Sequence, residues 1–473
     1  EAEEQAAPEK RQVEELLPEQ IVGDFTECRT AQCWKRKQAQ WKTTLKKVDE
    51  KAAGDENKSK GEEPKRKRKR KQGNSGDGGA AYGKLVEGCP NLPSVNSMEE
   101  EHHSWLFSHG GQVPRGEALR YAHMATIALM ANGTLIAAWQ ASKLYEGAED
   151  QRIYYSLSTD GAVGASWGSP RMVPTPQHAS SGAQWSPALF TDPEGGQTWL
   201  FYSESVGHQC IRPPEGKHPE LWVPGGNIKA TFISEDGIQW EDPRIILTQS
   251  SDKIPKVIAN PPIVTEAGMW MLPYWGEKKN LPKNKECFTH TEEYAGVLVS
   301  ADQGDTWDTY GGLQAKGTHL IEGSVVEAGG KLMMMFRTGL GVHYRSYSTT
   351  PAGNNWSPAT PTRVNNPDSK SHMIRLQPQG EVIIAHNNHK DCCDAGCRKC
   401  RTRLVISRSR DGGHKFAPLH MIVSHRTTFL RTHYPTLLQV GCRLLVAYSS
   451  AYSCCAPEKA ELGIRVVSYQ MKE

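Results

Sequence analysis

The sequence lacks several features that would place it in a broad class at once. No apolar run approaches the roughly 20 residues that a membrane-spanning helix needs. The net charge is only +3, so the molecule as a whole has no charge excess that favours nucleic acid. We therefore expect no transmembrane segment and no specific nucleic-acid partner. The 473 residues are 37% hydrophobic, enough for a large core but long for one domain unless the fold is repetitive.

Sequence patterns for binding a metal ion are also scarce. Cys397 and Cys400 have the C-x-x-C spacing of a zinc site, but no matching distant C-x-x-C or H-x-x-x-H pair accompanies them. The even number of cysteines, 12, is compatible with disulfides in an oxidising compartment. We favour disulfides, keep zinc as the alternative, and predict no metal ion and no cofactor.

Two further observations bear on the compartment. The chain begins at Glu1 rather than at methionine, which we interpret as a leader that has been removed or omitted. Three N-x-S/T sequons, at Asn57, Asn132 and Asn355, fit secretion, although this short pattern also arises by chance. Together with the cysteine count, these features predict a secreted or lumenal protein.

Composition divides the chain at about residue 85. Residues 1–85 are rich in Glu, Lys, Ala and Gln and poor in large apolar residues, which predicts a disordered charged tail. The tail contains an unbroken basic run, Lys65–Lys71. Four interpretations of this run stay open: a nuclear signal, a patch that contacts polyanions, a processing site and a solvated linker. We expect residues 86–473 to form the folded domain.

A motif of serine, aspartate, glycine and an aromatic residue recurs in this second part. It suits a tight turn, because Ser and Asp side chains bind backbone N–H groups, Gly adopts a positive φ and the ring packs beneath. We therefore interpret its aspartates as turn residues rather than catalysts. The copies are Ser158–Trp167, Ser234–Trp240, Ser300–Trp307, Ser348–Trp356 (with Thr350 in place of the aspartate) and Ser409–Phe416.

Six hairpins share one pattern: an apolar strand, a turn containing glycine and a second apolar strand. Six units of about 60 residues predict an all-β fold, a six-bladed β-propeller with four-stranded blades. Closing a propeller normally pairs the two chain ends, so we expect a strand near Ser104–Phe107 to complete the last blade, which ends with Ile464–Tyr469. The predicted inner strands are Met124–Met130, Ala188–Phe190, Pro262–Val264, Ser324–Glu327, Met373–Leu376 and Thr436–Gln439.

The topology of a propeller predicts which residues meet at its central pocket. The first strand of every blade starts at that face, the second strand returns to it, and the third strand starts there again. The repeated turn motifs lie at the opposite face. Polar groups that converge on one concave pocket are the default site hypothesis. The predicted ring is His123, Trp185, Asn260, Glu322, Arg337, His372, Asn387, Arg401, Tyr434 and Tyr448 or Ser449.

The turn motif resembles the Asp-box of sialidases, and further segments extend the resemblance over about residues 103–470. Ile321–Arg337 is similar to the sialidase stretch that carries a functional glutamate and then a substrate arginine. Tyr434–Tyr448 resembles the segment headed by the nucleophilic tyrosine, and Arg401 stands where such enzymes have another arginine. Trp139–Ile153 resembles the neuraminidase-like branch with BNR repeats.

The resemblance implies a retaining exo-glycosidase that hydrolyses a terminal acidic sugar of a glycoconjugate, either sialic acid or a related 2-keto sugar acid. Arg337 and Arg401 would bind the carboxylate beside the anomeric carbon through bidentate hydrogen bonds. That carboxylate would repel a carboxylate nucleophile, so the neutral Tyr434 would attack while Glu322 takes its proton.

The resemblance also implies a loop acid that protonates the leaving group, and here the sequence is less specific. Asp150 is the first choice, with Glu146 and Glu149 as alternatives. The sequence departs from sialidases where the first of three arginines is expected, because His123 occupies that position and Arg120 lies three residues earlier. A protonated histidine could bind a carboxylate only below about its pKa. The other predicted substrate-binding residues are Trp185 and Asn387.

Three functions stay open at this point. The first is the hydrolase, the second is a non-catalytic propeller that binds glycans or proteins, and the third is a lyase or other carbohydrate-active enzyme on the same scaffold. The pair Tyr434 and Glu322 discriminates between the first two. Hydrogen-bond proximity between them, with Arg337 and Arg401 directed at one point, favours the hydrolase, whereas an outward-facing Tyr434 favours the binder.

Overall fold

The computed structural model describes residues 88–109, 118–174, 182–206, 211–212, 221–277, 293–389, 401–425, 430–452 and 462–473. The predicted tail 1–85 lies outside these residues, and so do its basic run, the sequon at Asn57 and the C-x-x-C pair Cys397 and Cys400. Of the cysteines that are described, Cys89 and Cys442 form a disulfide, as the preferred interpretation of the cysteine count expects.

The described residues form β-strands joined by turns, with one short 3-10 helix, Gln249–Ser251. None of the helical segments in these ranges is long and apolar enough to cross a membrane. The strands are β1 Ser97–Ser108, β2 Tyr121–Leu129, β3 Leu135–Ser142, β4 Arg152–Leu157, β5 Arg171–Met172, β6 Gln184–Thr191, β7 Thr198–Glu204, β8 Ile211–Arg212, β9 Leu221–Trp222, β10 Asn227–Ile233, β11 Arg244–Leu247, β12 Lys256–Ile258, β13 Ile263–Val264, β14 Trp270–Gly276, β15 Tyr294–Ser300, β16 Asp308–Leu313, β17 Ile321–Ala328, β18 Lys331–Arg337, β19 Val342–Ser348, β20 Thr360–Asn365, β21 His372–Arg375, β22 Val382–Asn387, β23 Arg403–Ser409, β24 Ala417–Ser424, β25 Leu430–Val440, β26 Arg443–Tyr452 and β27 Gly463–Lys472.

Twenty-four of these strands build the six blades that the sequence predicts, while β13 pairs with β14 beside the third blade's strand order and β8 and β9 form a two-stranded sheet. The blade sheets have the strand orders β2-β3-β4-β5, β6-β7-β10-β11, β12-β14-β15-β16, β17-β18-β19-β20, β21-β22-β23-β24 and β25-β26-β27-β1. The first strand of the domain therefore completes the last blade, with Ser97 opposite Lys472 and Ser108 opposite Gly463. The prediction of a closing strand near Ser104–Phe107 is confirmed, and the observed strand is longer. Residues 264–269 form a turn, in which Gly268 donates to the Thr265 carbonyl at 2.8 Å.

The core lies between neighbouring blades. Apolar side chains of the first blade, such as Trp139 and Leu135, pack with Leu445 and Val466 of the last blade, and each is at most 1% exposed. Both faces of these strands are buried, which explains why the inner strands read as nearly continuous apolar runs rather than as alternating ones.

The repeated turn motif lies between the third and fourth strands of its blades, as the topology predicts. In the third blade the hydroxyl of Ser300 accepts the Gly304 N–H at 2.7 Å, and a carboxylate oxygen of Asp302 accepts the Thr306 N–H at 2.9 Å. The Trp307 indole then donates to the Gly304 carbonyl at 3.1 Å. The aspartates of this motif are therefore turn residues, and their hydrogen bonds explain the motif without catalysis.

Four inner strands begin with the same irregularity. In β2, β6, β17 and β25, two residues stand opposite one residue of the second strand, which is a β-bulge. The first bulged residue has a positive φ in every case, and we call it the bulge position: Met124 (59°), Ser186 (51°), Glu322 (51°) and Tyr434 (58°). The second strand places a buried aromatic residue opposite each bulge: Trp139, Tyr202, Phe336 and Tyr448.

The bulge positions coincide with predicted ring residues in two of these four blades. The sequence pattern sets His123 and Trp185 level with Glu322 and Tyr434. In the structure the bulge positions of the first two blades are Met124 and Ser186, one residue later. His123 and Trp185 thus stand directly before the bulge positions of their strands, whereas Glu322 and Tyr434 occupy theirs.

Candidate functional site

The bulge positions of the fourth and sixth blades meet through one arginine. Arg337 Nη1 donates to a carboxylate oxygen of Glu322 at 2.7 Å and to the hydroxyl oxygen of Tyr434 at 2.5 Å. The other carboxylate oxygen of Glu322, Oε2, is buried and has no hydrogen-bond partner among the described residues. Glu322 and Tyr434 are separated by 112 positions in the chain, and only the fold brings them together.

Arg337 ends β18, and its guanidinium is held on two sides. Its Nε donates to Asp368 at 2.6 Å, and the same carboxylate oxygen of Asp368 contacts His319 Nε2 at 3.1 Å. Burial works against the charge of Arg337, but Glu322, Tyr434 and Asp368 outweigh it and hold its pKa above the ordinary value. Nη2 is the nitrogen of Arg337 for which the described residues supply no hydrogen-bond partner.

Tyr434 is 7% exposed and lies among cationic and aromatic groups. The His123 ring centroid is 4.2 Å from that of Tyr434, and the Arg401 guanidinium carbon is 5.2 Å from the same ring. Burial raises the pKa of the phenol; Arg337 and Arg401 lower it, while Glu322 opposes its ionisation. Tyr434 is therefore a neutral phenol in the resting protein, and it needs a base before it can act as a nucleophile.

Arg401 lies beside this tyrosine but is engaged with the protein. It contacts His433 Nδ1 at 3.0 Å through Nη1 and the backbone carbonyl of Asp368 through Nη2. Burial, together with repulsion from Arg337, lowers the pKa of Arg401. The guanidinium carbons of Arg337 and Arg401 thus lie 5.9 and 5.2 Å from the centroid of the Tyr434 ring.

His123 is buried beside the same cations. Its Nδ1 lies 2.8 Å from the Ser449 hydroxyl. Burial lowers its pKa well below the ordinary value, and the charges of Arg401 and Lys370 lower it further. His123 is consequently a neutral imidazole near pH 7, so it does not replace the positive charge of the missing arginine.

The three loop acids have different surroundings. The carboxylate of Asp150 accepts the Lys143 N–H at 3.0 Å and so bridges the loop between β3 and β4. Glu149 is exposed, and its carbonyl accepts Arg152 Nη1 at 2.9 Å. The charge of Glu146 opposes the ionisation of both Tyr434 and Tyr121, and burial is the largest cause of the raised pKa of each tyrosine. Glu146 is exposed, like Glu149, and its charge is a minor cause of the raised pKa of Tyr434.

The remaining predicted substrate-binding residues have other contacts. Arg120 is exposed, and its backbone N–H donates to the Lys143 carbonyl at 3.2 Å. Trp185 is buried, and its indole donates to the Ser205 hydroxyl at 2.9 Å. Asn387 is also buried and accepts the Ser369 hydroxyl at 2.8 Å while donating to the Thr432 carbonyl at 2.8 Å. Trp185 and Asn387 thus use their polar groups in hydrogen bonds within the fold.

Two residues of this site were missed by the sequence analysis, and a third was given no role. Asp368 and Lys370 lie in the segment before β21, and Asn260 was placed in the ring without a role. Asn260 Nδ2 donates to the carbonyl of Gly323, in the Glu322 bulge, at 2.9 Å. An aromatic residue near the end of a blade's second strand could have indicated the bulges in the sequence, because such a residue stands opposite each of them. No comparable sequence pattern marks Asp368 or Lys370.

Comparison with known proteins gives one family match and a set of similar structures. The model of the BNR repeat-like domain matches residues 133–446. No curated protein matches the chain. A protein of unknown function from Dyadobacter fermentans is 14% identical, with a TM-score of 0.57, over 80% of this chain and 100% of that chain.

Two of the similar structures have a named activity. The intramolecular trans-sialidase from Ruminococcus gnavus, in complex with oseltamivir carboxylate, is 14% identical, with a TM-score of 0.56, over 78% of this chain and 96% of that chain. The Trypanosoma rangeli sialidase is also 14% identical, with a TM-score of 0.53, over 79% of this chain and 59% of that chain. At this identity the likeness establishes a shared fold.

Proposed function

This chain belongs to the BNR repeat-like domain family, with a sialidase-like fold, and we propose that it is a retaining exo-glycosidase that removes a terminal acidic sugar from a glycoconjugate. The sugar is sialic acid or a related 2-keto sugar acid. The observation that carries the proposal is the placement of Arg337 Nη1 within hydrogen-bond reach of both Glu322 and Tyr434. This arrangement joins a nucleophile, a base and a cation in one cluster.

In the first half-reaction, Tyr434 Oη forms a bond to the anomeric carbon while the glycosidic C–O bond breaks. The phenolic proton passes to Glu322, whose Oε1 and the Tyr434 hydroxyl both bind Arg337 Nη1. Arg337 stabilises the negative charge that develops on the phenolic oxygen. A tyrosine suits this step because the substrate carboxylate would repel a charged nucleophile.

A loop acid supplies the proton that the leaving oxygen takes up. We assign this role to Glu146 ahead of Asp150, because the charge of Glu146 acts on Tyr434 whereas Asp150 bridges the loop backbone. In the second half-reaction the deprotonated acid takes a proton from water, the water oxygen attacks the anomeric carbon, and Tyr434 leaves and recovers its proton from Glu322. Two displacements at the same carbon retain its configuration.

Arg337 and Arg401 are the proposed partners of the substrate carboxylate. Arg337 Nη2 is the donor left over after its contacts with Asp368, Glu322 and Tyr434. Because His123 is neutral, it offers a hydrogen bond rather than a charge. The site therefore binds the carboxylate with two arginines, and we expect weaker binding than in a site with three.

We further propose that the protein acts in a secreted or lumenal compartment, which the Cys89–Cys442 disulfide supports. We also propose that the basic run Lys65–Lys71 contacts polyanions. The division of the chain into a tail, 1–85, and a domain, 86–473, stays a proposal, and so does the absence of a nucleic-acid partner.

Release of a fluorescent aglycone from a panel of α-ketosides and uronides tests the proposed reaction. We expect turnover of at least one α-ketoside, and a loss of at least about 10³-fold in kcat for Tyr434→Phe, because the nucleophile is removed. Tyr469→Phe is the matched control, since Tyr469 is a buried tyrosine of the same blade whose hydroxyl has no partner in the described residues. Turnover that persists in folded Tyr434→Phe would contradict the mechanism.

The second candidate is a non-catalytic propeller that binds acidic glycans. It is favoured by the engagement of Arg337 Nε and Nη1 with the protein carboxylates Asp368 and Glu322, which offsets the charge of this arginine. Wild-type protein that is folded and turns over no α-ketoside, but retains an acidic glycan on an array, would establish this function instead.

A further inference from the structure

A buried lysine lies directly behind the Tyr434 bulge. Lys370 is 0% exposed, and it belongs to the segment that leads into the fifth blade. Its ammonium donates to the backbone carbonyl of Pro435 at 2.6 Å and to the hydroxyl of Thr436 at 3.0 Å. These are the two residues that follow Tyr434, so the lysine contacts the backbone at the point where the strand bulges.

The same contact extends to a second bulge. The Thr436 hydroxyl, which accepts from Lys370, itself donates to the Ala125 carbonyl at 2.8 Å. Ala125 lies in the bulge of the first blade. Lys370 therefore connects segments of the fifth, sixth and first blades. It is placed to fix both the course of the backbone at Tyr434 and the distance of that strand from its neighbours.

A comparable contact is present at the other functional bulge. Asn260 donates to the carbonyls of Glu322 and Gly323 at 3.3 and 2.9 Å. The backbone carbonyls of the Glu322 bulge are bound by the side-chain amide of Asn260, whereas the carbonyl of Pro435 in the Tyr434 bulge is bound by the ammonium of Lys370. Burying a charged group is expensive and a neutral donor would be cheaper, so the lysine calls for an explanation beyond packing.

We propose that Lys370 is the positioning residue of Tyr434: by binding Pro435 and Thr436 it holds the left-handed bulge that directs the phenol at Arg337 and Glu322. The inference rests on the proposed function, because it assigns Lys370 a role in that reaction. Lys370 does not touch substrate, since its side chain is fully enclosed. A displacement of about 1 Å at a reacting group can cost around 10²-fold in rate.

The electrostatics of this region agree with the placement. Burial lowers the pKa of Lys370 to about 7, and the charge of Glu322 opposes that shift. The charge of Lys370 in turn lowers the pKa values of His372 and His123, for both of which burial is the largest cause. Lys370 thus acts on the groups around Tyr434 while remaining behind them.

The test observes Tyr434 directly and needs no activity. Protein labelled with ¹³C at the tyrosine ring is compared by NMR as wild type, Lys370→Met and Lys256→Met, and the Tyr434 signal is identified by its loss in Tyr434→Phe. Lys256 is the matched control, because it is 1% exposed and likewise donates to a backbone carbonyl, that of Ile254, at 2.9 Å. We expect a displaced or broadened Tyr434 signal in Lys370→Met and an unchanged one in Lys256→Met.

Steady-state kinetics of the same variants are the second measurement. Lys370→Met should lower kcat by about 10- to 100-fold with KM within about twofold, because the reacting phenol is displaced while the carboxylate site is kept. Lys370→Gln keeps a neutral donor that is too short to reach both oxygens, and it should fall between wild type and Lys370→Met.

An unchanged Tyr434 signal in folded Lys370→Met would overturn the proposal. If that variant does not fold, an unchanged signal in Lys370→Gln would overturn it equally. Wild-type protein without any glycosidase activity would refute the proposed function alone, since the NMR comparison still decides whether Lys370 positions Tyr434.

Discussion

The four bulged inner strands have one backbone conformation but two kinds of occupant. The first and second blades place Met124 and Ser186 at the bulge position, and the fourth and sixth place Glu322 and Tyr434, all with φ between 51° and 59°. In the second blade the Ser186 N–H donates to the Gln140 side chain at 2.7 Å. In the sixth, Arg337 donates to the Tyr434 hydroxyl.

This difference shows which part of the site is general and which is specific. The bulge is a recurrent backbone device, since it is present where the side chain is apolar as well as where it is charged. A non-glycine residue at positive φ costs roughly 1–2 kcal/mol, and such conformations often cluster at functional sites. The chemistry therefore depends on the residue that occupies the bulge and on the charged groups around it.

The largest loss of activity is expected from a substitution of Glu322, the proposed base, at the bulge position of the fourth blade. Glu322→Gln keeps the shape of the side chain but removes the group that accepts the proton of Tyr434, so kcat should fall by about 10²- to 10⁴-fold. Steady-state kinetics on the α-ketoside that gives the highest turnover measures this. Glu327→Gln, on the same strand but beyond the bulge, is the control and should retain wild-type kcat. Equal losses in both variants would contradict a special role for the bulge position.

An intermediate effect is expected from the lysine behind Tyr434. Its pKa is about 7 in the folded protein and 10.5 as an isolated group, so the unfolded chain binds more protons between these values. The unfolding free energy of wild type should therefore rise with pH across this window, by up to about 1.4 kcal/mol per pH unit, relative to that of Lys370→Met. Denaturant unfolding of both proteins at several pH values between 7 and 10 measures the difference. Parallel stability curves would show that Lys370 does not titrate in this range.

The smallest effect is expected at a bulge position without assigned chemistry. Ser186→Gly relieves the positive φ but raises the entropy of the unfolded chain, and these opposing terms should leave stability within about 1 kcal/mol of wild type. The turnover of the α-ketoside should be unchanged. Denaturant unfolding and the aglycone assay check both expectations, and a large loss of activity would show that Ser186 belongs to the site.

Part of the site was predictable because its residues stand at repeated points of a regular topology. Glu322, Arg337, Arg401 and Tyr434 were selected from their positions before or after predicted strands, and the structure brings all four together. His123, which was selected in the same way, lies one residue before the bulge position of its strand and contacts the Tyr434 ring. The neutral state of His123 depends on burial beside Arg401 and Lys370, which are distant in sequence.

The sequence by itself determined the all-β propeller with six blades and the turn role of the repeated aspartates, because both depend on local patterns: strand alternation, turn glycines, and side chains that bind N–H groups a few residues away. Only the tertiary structure decided which polar groups share one site and in which state of charge. Lys370 and Asp368 reach Tyr434 and Arg337 across blades. The pKa values follow from burial and from charges brought close by folding, and neither is encoded in any short stretch of the chain.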